Sequence, residues 1–146
     1  MLLKEIMTHD VEVVSPGDTL EQAARKMEER NVGPMPVCEG NRVVGMLTDR
    51  DITVRSTAEG EDPTVIRVRD IMTPEVLYCL EDQLVGEASR LMQDNQVRRL
   101  LVLNRDRQLV GIVSLADLAV ETGDAELVGQ TLEQVSAPDP PRSSVS

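Results

Sequence analysis

The stretch GMLTDRDITVR (45–55) returns later in the chain as GIVSLADLAVE (111–121). In both, a glycine precedes two apolar residues and then a hydroxyl residue, Thr48 or Ser114. An aspartate follows three positions on, Asp51 or Asp117. Thr-x-x-Asp fits a helix-capping box, in which the hydroxyl accepts from a backbone N–H and the carboxylate reaches back to the cap residue's N–H. The same arrangement gathers a hydroxyl, a carboxylate and backbone N–H groups beside a strand end. That suits a phosphorylated sugar, with N–H groups facing the anion and the carboxylate accepting from vicinal hydroxyls. Both readings stand on the same residues.

The recurrence extends well beyond these segments. Ile6-Met7-Thr8 reappears as Ile71-Met72-Thr73, an offset of 65 (71 − 6). The same offset pairs Val11 with Val76, Ala23 with Ala88, Arg25 with Arg90, Met27 with Met92, Val32 with Val97 and Val37 with Val102. From Gly45 and Gly111 onward the offset is 66 (111 − 45), a slip of one residue. The chain is a tandem duplication.

Each copy reads as strand, helix, strand, strand, helix. In the first, VEVV (11–14) is a short strand, and Asp18 with Glu21 marks a helix N-terminus. Leu20, Ala23, Ala24 and Met27 follow helical spacing, which predicts an amphipathic helix to about Arg30. Met27 and Met92 read as core filling. PMPVCEGNRVVGML (34–47) is a hairpin turning at Gly40-Asn41, and the second copy turns over Asn104 to Gln108. STAEGEDPT (56–64) joins the copies. After Gly123, DAELVGQTLEQVS reads as a last helix with Leu127, Leu132 and Val135 facing inward, and APDPPRSSVS (137–146) as a disordered tail. The resulting division is 1–58, a linker 59–68, 69–122, a helix 123–136 and the tail.

Composition narrows the function. A net charge of −11 opposes a nucleic-acid partner, because affinity for phosphate backbones comes from clustered cations. Thirteen of the fifteen basic residues are Arg, a side chain shaped to fork onto a small phosphorylated ligand. Tyr78 is the only aromatic, so any nucleobase would lie between aliphatic side chains. Cys38 and Cys79 follow no CxxC pattern and read as reduced, buried thiols of a cytoplasmic protein. The start lacks a continuous signal-peptide apolar run, and LVGIVSLADLAV is too short to span a bilayer. His9 is the only histidine, which opposes a hydrolase triad. His9, Asp10, Glu12, Asp49 and Asp51 could gather round a divalent cation, or form an acidic surface edge. The chain does not read as an enzyme.

The doubled pattern of I-M-T, an Ala/Met helix, V-x-x-x-P-V or V-R-R-L-L-V, and G-h-h-[ST]-x-x-D resembles a pair of CBS domains, a Bateman module, over about residues 3 to 122. The resemblance implies an α/β fold of tandem CBS domains: two β-α-β-β-α repeats with pseudo-twofold symmetry and two clefts. It further implies a stand-alone regulator that binds AMP, ADP, ATP or S-adenosylmethionine and modulates a client protein. The alternative is a ligand-free dimerisation or assembly module. By resemblance, Thr48 and Asp51 share one cleft with Thr73, Val76, Val97, Arg98 and Arg99. Ser114 and Asp117 share the other with Thr8, Val11, Val32 and Gly33.

Arg98 and Arg99 suit a phosphate at the Asp51 cleft, whereas Gly33 and Pro34 bring no charge to the other cleft, to which Glu12 adds a negative one. The two arginines could instead pair with surface carboxylates. Ile52, Val54, Leu118 and Val120 on the second helices suggest a homodimer.

Overall fold

A computed structural model describes residues 1–122 and 125–136, apart from the side chains of residues 120–122, 125–128 and 131. The expected tail, 137–146, lies outside the described residues. The elements in chain order are α1 (Leu20–Arg30), β1 (Met35–Glu39), β2 (Arg42–Leu47), α2 (Asp49–Arg55), α3 (Val68–Ile71) and β3 (Tyr78–Leu80). They continue as α4 (Val85–Asn95), β4 (Arg99–Leu103), β5 (Leu109–Ser114), α5 (Leu115–Thr122) and α6 (Ala125–Ser136). The chain is a mixed α/β fold of two repeats.

Local chemistry sets these boundaries. α1 begins one residue later than the Asp18 reading implies. Thr19 is its cap: the hydroxyl accepts from the Gln22 N–H at 3.2 Å, and the Gln22 side chain accepts from the Thr19 N–H at 2.8 Å. Asp18 serves the preceding turn, accepting from the Ser15 N–H at 2.9 Å. Leu20, Ala23 and Met27 are buried, whereas Ala24, expected on that face, is exposed. Asn31 ends α1 and Gln96 ends α4, each in the left-handed region at φ 52. Gly40, at φ 62, makes the β1–β2 turn.

The strand expected at 11–14 shrinks to one bridge, between Val14 and Val37. The Val14 N–H donates to the Pro36 carbonyl at 3.0 Å, and the Cys38 N–H donates to Val14 at 2.9 Å. Extending this parallel ladder would need an N–H on Pro36, which proline lacks. The Val13 carbonyl accepts from Lys26 Nζ at 2.8 Å. In the second copy Leu101 stands where Pro36 stands in the first, and β3 forms beside β4.

The chain divides into two compact units that are not simply its two halves. One unit comprises residues 10–77 and 103–109; the other comprises 1–9, 78–102 and the described residues from 110 on. In the 10–77 unit, α3 and Thr73, from the start of the second repeat, complete the first repeat's elements. The Val68 N–H donates to Asp18 at 2.8 Å and the Leu20 N–H to Ile66 at 3.0 Å. Thr73 pairs with Met46 through N–H···O bonds of 2.9 and 2.8 Å. Val14, Leu20, Met35, Val37, Leu47 and Val68, all 1% exposed or less, lie in its core. Burying a side chain of this kind stabilises by about 1.5–3 kcal/mol.

The other unit repeats the exchange with the roles reversed. The Leu3 N–H donates to Gln83 at 2.9 Å and the Val85 N–H to Met1 at 3.0 Å. Thr8 pairs with Ile112 through bonds of 2.8 and 2.9 Å. Leu3, Ala88, Met92, Val102, Val113 and Leu118 are fully buried. α6 packs on α4 and α5 with Val135 buried, while Leu132, expected inward, is 43% exposed. The Leu127 side chain is outside the described residues.

Candidate functional site

Thr48 stands where β2 gives way to α2, in extended geometry with φ −117 and ψ 160. Its hydroxyl accepts from the Asp51 N–H at 3.0 Å, and Asp51 Oδ2 accepts from the Thr48 N–H at 3.0 Å. Ser114 repeats this at the β5–α5 junction. Its hydroxyl accepts from the Asp117 N–H at 3.1 Å, and Asp117 Oδ2 accepts from the Ser114 N–H at 2.8 Å. The capping reading is therefore realised in both copies. It uses one carboxylate oxygen of each aspartate. Oδ1 of Asp51 and of Asp117 has no hydrogen-bond or ion-pair partner among the described residues, and all four motif residues are half-buried. A half-buried carboxylate oxygen that still accepts is suited to a donor such as a sugar hydroxyl.

The backbone brings further expected residues to each cap. In the 10–77 unit, Thr73 is bridged to Met46, two residues before Thr48. The Gly33 carbonyl accepts from the Asp49 N–H at 3.2 Å. A Cβ at Gly33 would meet Asp49 Oδ1 at 2.9 Å, a contact that the exposed Asp49 side chain can relieve by turning away. Val11, Val32 and Val76 are half-buried in the same unit. In the other unit, Thr8 is bridged to Ile112, two residues before Ser114, and the Arg98 carbonyl accepts from the Leu115 N–H at 2.9 Å. Val97 is half-buried, and Arg98 and Arg99 are exposed. The main chain thus groups Arg98 with Ser114 and Asp117, and Gly33 with Thr48 and Asp51. The resemblance had grouped them the other way round.

Two charge expectations change. Glu12 brings no uncompensated negative charge, because Arg30 lies 3.0 Å and Lys26 3.5 Å from its carboxylate. Arg98 and Arg99 have no carboxylate within ion-pair distance among the described residues. Arg98 Nη2 donates instead to the Ser136 hydroxyl at 3.2 Å. Ser136 lies beyond the repeats, and nothing in its neighbourhood of the sequence signals this role.

Cys38 and Cys79 are free and buried. Burial raises both thiols, and Glu87 adds to the effect at Cys79, which is pushed up to about 11. Among the described residues, no three His, Cys, Asp or Glu side chains come together as metal ligands. No helix among them is long and apolar enough to cross a membrane.

Two copies of one motif, each completed by the I-M-T threonine of the other repeat, describe a paired module. The CBS domain family model matches residues 3–56 and again 68–122. The chain belongs to the CBS domain family. This CBS pair is 41% identical over 134 residues to the CBS domain-containing protein YhcV of Bacillus subtilis, covering 92% of this chain and 94% of the relative. It is also similar to the crystal structure of Hypoxic Response Protein I with two coordinated zinc ions. There the TM-score is 0.72 at 35% identity, over 82% of this chain and 97% of that one; the protein of that name matched by sequence comes from Mycobacterium tuberculosis. The CBS domain pair of protein MJ0100, solved with 5'-methylthioadenosine and S-adenosyl-L-methionine, shares the fold of this pair. Its TM-score is 0.67 at 24% identity, over 82% of this chain and 97% of that one.

Proposed function

We propose that this CBS pair is a cytoplasmic regulatory module, not an enzyme. It binds an adenosine-containing ligand (AMP, ADP, ATP or S-adenosylmethionine) and passes that occupancy to a client protein. The observation that carries the reading is the half-used aspartate at each cap. Asp51 and Asp117 each spend one oxygen on the helix start and keep the other available. A ribose offers two vicinal hydroxyls to such an acceptor, and Thr48 or Ser114 stands beside it. Thr73 with Val76, and Thr8 with Val97, would border the ligand, with aliphatic side chains on the base in this nearly aromatic-free chain. Both ligands of the MJ0100 pair carry an adenosine, which supports the chemistry by fold alone.

Charge separates the two caps. The Arg98 carbonyl accepts from the N–H of Leu115, next to Ser114, and Arg99 follows it, which supports a phosphorylated ligand at that cap. Gly33 occupies the matching place at the Thr48–Asp51 cap, which suits an uncharged nucleoside-like group. The zinc ions of Hypoxic Response Protein I belong to that protein and are not extended to this chain.

A second reading, an assembly module working as a homodimer without ligand, draws on Val54 of α2, which is 49% exposed. Thermal denaturation with and without AMP, ATP and S-adenosylmethionine separates the two. A true ligand at 100 times its dissociation constant adds about 2.7 kcal/mol of stability. No shift with any of them would leave the assembly reading.

A further inference from the structure

The family match ends at residue 122, and α6 lies beyond it. This added helix packs on α4 and α5, and its last turn reaches the corner where α4 passes into β4. Two side chains of that corner reach for it. Gln96 Nε2 donates to the Gln134 carbonyl at 3.4 Å, and Arg98 Nη2 donates to the Ser136 hydroxyl at 3.2 Å. The last turn of α6 contains no basic residue. A helix C-terminus carries unpaired carbonyls and a partial negative charge, so a cation beside it is stabilising. Arg98 supplies that cation from outside the helix.

We propose that the end of α6 is a built-in competitor for Arg98, so that a ligand's phosphate must take this side chain from Ser136. The proposal rests on the reading above, in which Arg98 serves the phosphate of an adenosine-containing ligand. A neutral hydroxyl offers the guanidinium one weak acceptor, whereas a phosphate offers several anionic oxygens and bidentate geometry. Phosphate binding therefore frees the last turn of α6, and an unphosphorylated nucleoside leaves it in place. The C-terminal helix becomes the element that reports ligand charge.

The test uses the full chain, titrated with AMP and with adenosine by calorimetry, and with each followed by amide hydrogen exchange in α6. Ser136→Ala removes the competitor: AMP affinity should rise about two- to five-fold, the size of one exposed charge-assisted hydrogen bond, with adenosine unchanged. Ser136→Asp places a carboxylate on Arg98 and should weaken AMP by a similar factor, again sparing adenosine. In the wild type, AMP but not adenosine should speed exchange in the last turn of α6. Wild-type AMP affinity in both variants, or adenosine shifting in step with AMP, would overturn the proposal while leaving the ligand reading intact. A wild type that binds neither compound would overturn the assignment of a phosphorylated adenosine ligand to Arg98, and the competitor with it.

Discussion

The carbonyl oxygen of Thr73 lies 2.8 Å from the point where a Cβ on Gly45 would stand. The same relationship joins Thr8 to Gly111, also at 2.8 Å, with the Met7 sulfur at 2.7 Å. These glycines let a segment of one repeat lie against the strand that leads to the other repeat's cap. Gly45→Ala and Gly111→Ala should each destabilise by about 1–3 kcal/mol, the usual range for overpacking a close contact. Gly86, exposed in α4 with nothing within 4 Å of its Cβ position, is the control. Gly86→Ala should stabilise by roughly 0.5–1 kcal/mol. Chemical denaturation of the three variants checks both signs, and equal effects at all three positions would contradict the close approach.

Thr48→Ala and Ser114→Ala remove the hydroxyl that caps α2 or α5. Each should cost about 0.5–2 kcal/mol of stability whether or not a ligand is present. Denaturation midpoints in ligand-free buffer measure this, and an unchanged midpoint would mean that the cap contributes nothing.

Cys79 is 2% exposed and its thiol is raised to about 11, mainly by burial. The folded chain thus holds this thiol protonated at a pH where the unfolded chain ionises it. Its stabilising contribution is complete below the ordinary thiol range and is lost as pH rises from there to about 11. Compared with Cys79→Ala, the wild type should lose extra stability across that window, by at most about 1.4 kcal/mol per pH unit for one proton. Parallel slopes for the two proteins would count against a buried neutral thiol.

The homodimer proposal now has a narrower face. Leu118 is fully buried within its own unit and is unavailable to a second copy, and the Val120 side chain lies outside the described residues. Val54 is exposed and Ile52 half-buried on α2. Val54→Glu should shift light scattering toward the 16.1 kDa monomer while preserving the fold. A wild type that scatters as a monomer at micromolar concentration, or a variant that still dimerises, would remove α2 from the interface.

Much of this was legible because the chain writes it twice. The offset of 65 residues aligns Asn31 with Gln96 as helix ends and Thr8 with Thr73 as bridge residues, so each copy checks the other. Capping and turn chemistry act over three or four residues, and Thr48, Ser114 and the Gly40-Asn41 turn were readable for that reason. Exchange of the I-M-T segments between repeats leaves no local trace. Ile6 and Ile71 would be buried and apolar on either repeat, and only the resemblance suggested the crossing. The lost strand at 11–13 turns on Pro36, more than twenty residues downstream. The Arg98–Ser136 bond spans 38 positions and involves a helix outside the repeat, where no periodicity could announce it.

The central claim is that Asp51 and Asp117 each hold a sugar with the oxygen the cap does not use. Asparagine separates the two duties: its carbonyl can still accept from the Thr48 or Ser114 N–H, but its amide presents donors to the ribose. Calorimetric titration of AMP, adenosine and S-adenosylmethionine into wild type, Asp51→Asn and Asp117→Asn is the direct measurement. The wild type should bind at least one of them. The variant at the occupied cap should lose about 1.5–3 kcal/mol of affinity, roughly ten-fold or more, with little change in melting temperature. Binding left intact in both variants, or no binding by the wild type, would return both aspartates to capping alone.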